Sequence, residues 1–132
     1  MSLLELQKKL DYQFKDQSLL SLAVTHKSFN NDENNERLEF IGDSVLNIVI
    51  SEYLFNKFPN QKEGLLTRMR SHLVKGETLA NLANNINLLN HIKLSKGTSN
   101  LSENRKYSIL EGAIESIAVS YTHLTLPTKR IV

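Results

Sequence analysis

A chain of 132 residues with 40% hydrophobic content is the size of one domain, and with no Trp its core must be filled mainly by Leu, Ile and Val. The absence of cysteine excludes disulfide scaffolds, thiolate metal sites and cysteine nucleophiles. A formal charge of only +2 excludes a highly basic coat, so any nucleic-acid contact must rest on local patches. Five glycines and two prolines argue for helices over a turn-rich sandwich. The N-terminus lacks the basic head and apolar run of a secretory signal, and no stretch approaches the roughly 18 apolar residues of a membrane span. The expectation is a cytoplasmic protein with no membrane contact.

In chain order, Ser2 and Glu5 form a capping-box pattern ahead of Leu3, Leu4, Leu6 and Leu10, which predicts a short first helix. Asp16 caps a second, with Leu19, Leu20, Leu22 and Ala23 as its apolar positions. Ser28 to Asn34 is polar, asparagine-rich and expected to be a loop. From Asn35 onward, Leu38, Phe40, Ile41, Val45, Leu46, Ile48, Val49, Ile50, Tyr53, Leu54 and Phe55 surround the whole helical circumference. That pattern predicts a central buried helix ending before Pro59. A fourth helix carries Leu65, Leu66, Met69 and Leu73, with Gly76 at or just past its end. A fifth carries Leu79, Leu82, Ala83 and Ile86. Lys96 to Lys106 reads as a long loop, and a last helix carries Ile109, Leu110, Ala113, Ile114 and Ile117. The expected fold is an all-α bundle around one buried helix.

That helix contains acids. Glu36, Glu39 and Asp43 stand at i, i+3 and i+7 and share one face. Like charges at i, i+4 destabilise a helix by a few tenths of a kcal/mol even when exposed, and burial adds desolvation. Two explanations are open. Arg37, Arg68 or Arg70 neutralises the acids in an ion-pair network, or they form a divalent-ion site. Magnesium prefers carboxylate oxygens and keeps several waters. The last helix offers Glu111 and Glu115, again at i, i+4, and either could complete such a site.

The run Asn35-Glu36-Arg37-Leu38-Glu39-Phe40-Ile41-Gly42-Asp43-Ser44-Val45-Leu46 resembles the signature of the ribonuclease III family. Thr25-His26-Lys27-Ser28, Glu63-Gly64, Arg68-Met69-Arg70, Thr78-Leu79-Ala80 and Ser108-Ile109-Leu110 fit the family in order and spacing. The resemblance implies a helical catalytic domain that dimerises and hydrolyses double-stranded RNA with Mg²⁺, or Mn²⁺ in its place. It implies metal ligation by Glu39, Asp43 and Glu115, a catalytic role for Asp43, Glu115 and Glu36, and a partner-subunit contact by Phe40. Ribosomal RNA precursors are the family-level substrate expectation.

Three features depart from that pattern. Gly112 stands where the family has an aspartate, and the adjacent Glu111 projects about 100° away on a helix. The loop before the last helix lacks the family's glycine-rich run. After Ala118 neither the family's apolar helix nor its double-stranded-RNA-binding domain is recognisable. The expected division is a catalytic domain over residues 1–118 and an atypical tail over 119–132. Lys27, Lys96, Arg105 and Lys106 are candidate phosphate contacts, since A-form RNA is recognised mainly through shape, 2′-hydroxyls and phosphates. Two other readings compete with an active nuclease: a catalytically impaired domain that docks on structured RNA, and a helical metal-responsive protein with no RNA role.

Overall fold

The structure, a computed structural model, describes residues 3–98 and 101–122. These form six α-helices: α1 (Leu3–Leu10), α2 (Gln17–Ala23), α3 (Glu36–Lys57), α4 (Glu63–Leu73), α5 (Gly76–Asn85) and α6 (Glu103–Thr122). Two short 3₁₀ turns, Leu88–His91 and Lys96–Thr98, lie between α5 and α6. The all-α expectation holds. Ser2 lies outside the described residues, so the first cap does too.

Each early helix end has a local cause. Asp11 takes a left-handed backbone, φ 54°, and ends α1. The Asp16 carboxylate accepts the Leu19 N–H at 3.0 Å, which caps α2 as its sequence predicts. Asn35, almost fully buried, ties three segments together at the start of α3. Its N–H donates to the Thr25 carbonyl at 2.9 Å and its side-chain amide to the Ala23 carbonyl at 3.0 Å. Its own carbonyl accepts the Ser116 hydroxyl at 3.3 Å. The segment after α2 also meets the one before α6: the His26 N–H donates to the Lys93 carbonyl at 3.0 Å, and the Lys93 N–H to that of Val24 at 2.7 Å.

The central helix is α6 rather than α3. Leu110, Ala113, Ser116 and Ile117 of α6 are buried among Leu6, Leu20, Val24, Ala80, Ala83 and Leu88. On α3 only Gly42 and Leu54 are buried. Phe40 is 84% exposed and Phe55 70%, and Ile41, Ile48, Val49 and Tyr53 are exposed as well. The apolar circumference of α3 exists, but its own chain covers one side of it. Leu82 on α5 is likewise exposed, whereas Leu79 and Ala83 are buried.

Three boundaries differ from the sequence expectation. Gly76 opens α5 instead of ending α4. Helix α6 begins at Glu103, inside the expected loop. At its other end α6 runs through Thr122, past the expected domain edge at Ala118. Ser120 explains that extension: it is buried, and its hydroxyl donates to the Ser116 carbonyl at 3.2 Å and the Leu19 carbonyl at 3.4 Å. A polar residue there reads as the end of a core helix, yet its hydrogen bonds let it stay inside. Residues 123–132, the rest of the expected tail, lie outside the described residues.

Helix α3 packs more extensively on α6 than on any other element. Their closest approach is at Gly42. A Cβ placed there would stand 2.2 Å from the Glu115 carbonyl oxygen and 2.6 Å from its carbon. The obstacle is backbone, so it cannot rotate aside. Gly42→Ala is expected to destabilise the fold by about 1–3 kcal/mol or more, the range for overpacking a tight interior. Gly64 on α4 is exposed, with nothing within 4 Å of the same position, so Gly64→Ala is expected to stabilise by about 0.4–1 kcal/mol. Urea unfolding of both variants measures the contrast, and a Gly42→Ala midpoint equal to the native one contradicts the packing.

Candidate active site

The Gly42 crossing brings one face of α3 against one face of α6. Glu36, Glu39 and Asp43 from α3 line a cleft of about 480 Å³ together with Ser108, Glu111 and Glu115 from α6. Ser108, Glu111 and Glu115 stand at i, i+3 and i+7, the same spacing as the three acids opposite. All four acids assigned from the sequence therefore share one site, and Glu111 joins them. Despite its offset from Gly112, Glu111 lines the cleft. Its i, i+4 relation to Glu115 was the usable signal. Ser108 was missed, and the same spacing would have found it.

Among the described residues the five carboxylates have no ion-pair partner. Lys106 pairs with Glu103 at 3.7 Å, and neither of these lines the cleft. Arg70 instead donates to the Ser51 hydroxyl at 2.8 Å. The neutralising arginine network considered from sequence is therefore absent among the described residues. Glu115, only 6% exposed, shares a hydrogen bond with Asp43.

Electrostatics follow from that crowding. Burial, the Asp43 hydrogen bond and the charges of Glu111, Asp43 and Glu39 push the Glu115 carboxyl up to about 8. Burial and then Glu111 and Glu36 raise Glu39, against a smaller lowering by Lys27. Burial and then Asp43 raise Glu111. Such groups resist ionisation because burial and neighbouring like charges both disfavour the charged form.

The donor chemistry fits a hard divalent cation, being all oxygen and anionic. Among the described residues, no three such groups are already drawn into a closed ion cage. Glu39 and Asp43 line the cleft from α3 and Glu115 from α6. Gly112 bears on Glu39 directly. A Cβ there would stand 2.4 Å from Glu39 Oε2 and 2.6 Å from its Cδ, so the glycine leaves room for that carboxylate.

A second recess of about 280 Å³ adjoins the acids and shares Glu36, Glu39 and Ser108 with them. Lys27 and Arg105 line it, so these two expected phosphate contacts meet beside the cleft. Lys96 sits apart on the 3₁₀ turn, and Lys106 pairs with Glu103. His26 also lines the recess, but its Nδ1 accepts the Ser28 N–H at 3.1 Å and so caps a turn. Burial, with Lys27 and Arg105, lowers its pKa and favours the neutral ring. Phe40 lies at the mouth of the acidic cleft and also borders an apolar groove of about 930 Å³ with Leu22, Leu38 and Ile41.

The raised carboxyls predict a pH dependence. Unfolded Glu115 ionises near its ordinary 4.5, and folded Glu115 at about 8. Between those values the folded state binds the extra proton, so stability falls as pH rises across that window. The upward shifts of Glu39 and Glu111 act in the same direction. In EDTA the native chain is expected to lose denaturant resistance from about pH 5 to 8, and Glu115→Gln to flatten that slope. Stability that rises over the same range contradicts the assignment.

The comparisons with known proteins agree with this geometry. A family model described as ribonuclease-III-like matches residues 16–123, and so extends past Ala118. Ribonuclease 3 of Azotobacter vinelandii is 50% identical over 116 residues, covering 88% of this chain and 50% of that protein. Ribonuclease 3 of Pseudomonas putida is 46% identical over 130 residues, covering 98% and 56%. The chain spans about half the length of the curated relatives it matches. Among solved structures, the nuclease domain of ribonuclease III from Campylobacter jejuni is similar with a TM-score of 0.82 and 44% identity, covering 93% of this chain and 85% of that one. Its description concerns a flexible region involved in dimer formation. Dicer from Pichia stipitis is similar at a TM-score of 0.63 and 32% identity, over 86% of this chain and 50% of that one. The chain belongs to the ribonuclease III family, and its all-helical fold is that of the family's nuclease domain.

Proposed function

We propose that this chain is the catalytic part of a divalent-metal endoribonuclease that hydrolyses double-stranded RNA as a homodimer. The observation that carries the reading is the convergence of five carboxylates from two crossing helices with no basic partner among the described residues. A fold-stabilising network would include its counter-charges. Glu39, Asp43 and Glu115 would hold Mg²⁺ or Mn²⁺, with Glu36 at the rim. When bound, the ion supplies an acidified water and stabilises charge on the phosphate and the leaving oxygen. Lys27 and Arg105 stand beside these acids and would position phosphates of the duplex. The binding-only alternative rests on Gly112, and retention of all the other acids disfavours it. Processing of structured precursors such as ribosomal RNA, in the cytoplasm, is the role that fits. No helix among the described residues is long and apolar enough to cross a membrane.

The test is a gel with long duplex RNA, in Mg²⁺ and in EDTA. The native chain is expected to cut only with the metal. Asp43→Asn and Glu115→Gln are each expected to lower the rate by at least about 100-fold, the usual scale for a lost electrostatic contribution. Circular dichroism should stay unchanged in both. Full cleavage by either variant at low Mg²⁺ removes the mechanism.

The homodimer reading rests on α3. Phe40, Ile41, Ile48, Val49, Tyr53 and Phe55 form more exposed apolar surface than scattered residues explain. In a two-fold dimer each residue counts twice. Burying Phe40 contributes about 1.5–3 kcal/mol per copy, so Phe40→Ala is expected to raise the dimer dissociation constant by about 100-fold or more. Sedimentation at micromolar concentration reads this directly. A native monomer, or an unchanged Phe40→Ala dimer, contradicts the reading.

A further inference from the structure

We propose that Glu111 is a further ligand of the divalent ion in the acidic cleft, held in place by Gly76. This rests on the divalent-ion reading above and extends it to a residue outside the acids already assigned as ligands. Glu111 lies one turn before Glu115 on α6 and lines the cleft beside Glu39 and Asp43. It is half-buried, yet among the described residues it has no ion-pair partner. After burial, the charge that raises the Glu111 carboxyl is that of the like-charged Asp43. Glu115, nine-tenths buried, points into the same cleft, where its hydrogen-bond partner is another acid.

Two glycines make room for the flanking carboxylates. A Cβ on Gly76, the first residue of α5, would stand 2.8 Å from Glu111 Oε2. A Cβ on Gly112 would stand 2.4 Å from Glu39 Oε2. Each glycine therefore lets a carboxylate lie against a helix backbone at the edge of one cleft. For Glu111 that backbone is the first residue of α5. The seat keeps Glu111 near Asp43 although the two repel. A cation between them turns that repulsion into shared attraction.

A structural alternative is that Glu111 only neutralises the start of α5. The two roles differ in the metal-free protein. A capping acid stabilises the fold without metal, so its loss lowers Tm in EDTA. A ligand held against like charges does not, so its loss leaves Tm in EDTA unchanged or higher. The experiment uses the full chain without RNA. Mn²⁺ binding is followed by electron paramagnetic resonance, and Tm is measured in EDTA and in Mg²⁺. For Glu111→Gln the expectation is about tenfold weaker Mn²⁺ binding, a smaller Mg²⁺-induced rise in Tm, and no loss of Tm in EDTA. Gly76→Ala, which displaces the carboxylate and keeps its charge, is expected to weaken Mn²⁺ binding in the same direction. Native Mn²⁺ affinity in Glu111→Gln overturns the inference while leaving the divalent-ion reading in place. A fall of Tm in EDTA with unchanged affinity does the same and assigns the capping role. If the native chain takes up no Mn²⁺, the divalent-ion reading fails first and the inference fails with it.

Discussion

The rest of the site depends on the contact of two backbones at Gly42. Its Cα lies so close to the Glu115 carbonyl that no other residue type fits without moving a helix. Asp43 follows Gly42 directly, and Glu39 lies one turn before Asp43. A crossing at that point therefore sets the α3 acids against the α6 acids at hydrogen-bonding range, as the Asp43–Glu115 contact shows. Bulk at Gly42 would separate the helices by about the width of a methyl group. It would then weaken the packing and open the cleft together. Asn35 fixes the other coordinate, since its backbone and amide bonds hold the first turn of α3 to the end of α2 and to Ser116.

The acids work against the fold that holds them. Glu115 lies in the interior, bonded to a group of its own charge type, and burial with neighbouring acids drives its carboxyl up to about 8. Nothing in the described core relieves this. The fold tolerates it because the apolar side of α6, with Leu110, Ala113 and Ile117, packs into the main core on the opposite face. Helix α6 thus has one face that stabilises and one that concentrates charge. Such a conflict between local preference and the whole is what a functional site looks like.

Much of this was legible in the sequence. The periodicity of Glu36, Glu39 and Asp43 put three acids on one face, and the signature run around them named the family. The unread parts share a cause: a linear pattern does not say what lies opposite. An apolar circumference marks a helix that is covered on all sides, but not whether its own chain does the covering, so α3 was placed at the centre that α6 holds. Glu111 was judged against the direction of Gly112, whereas its place depends on the start of α5 across the cleft. Gly76 reads as a helix stop by composition, yet it begins a helix and leaves space for a carboxylate. Ser120 reads as a break in an apolar pattern because the carbonyl of Leu19, about a hundred residues earlier, is invisible in the line of letters.

Helix α3 also links the two parts of the proposed function. Its acids and its exposed apolar residues alternate along the same turns: Glu39 precedes Phe40, and Asp43 follows Ile41 and Gly42. Phe40 borders both the acidic cleft and the apolar groove. A second copy seated on Phe40 and Ile41 would therefore close one edge of the cleft and exclude water from it. Lower local dielectric strengthens the pull of the carboxylates on a cation and raises their repulsion without one. On the proposed reading, dimer formation and metal binding would be coupled through the same turn of helix, each favouring the other. Linkage makes that coupling reciprocal, so a metal-bound chain should dimerise more tightly than a metal-free one.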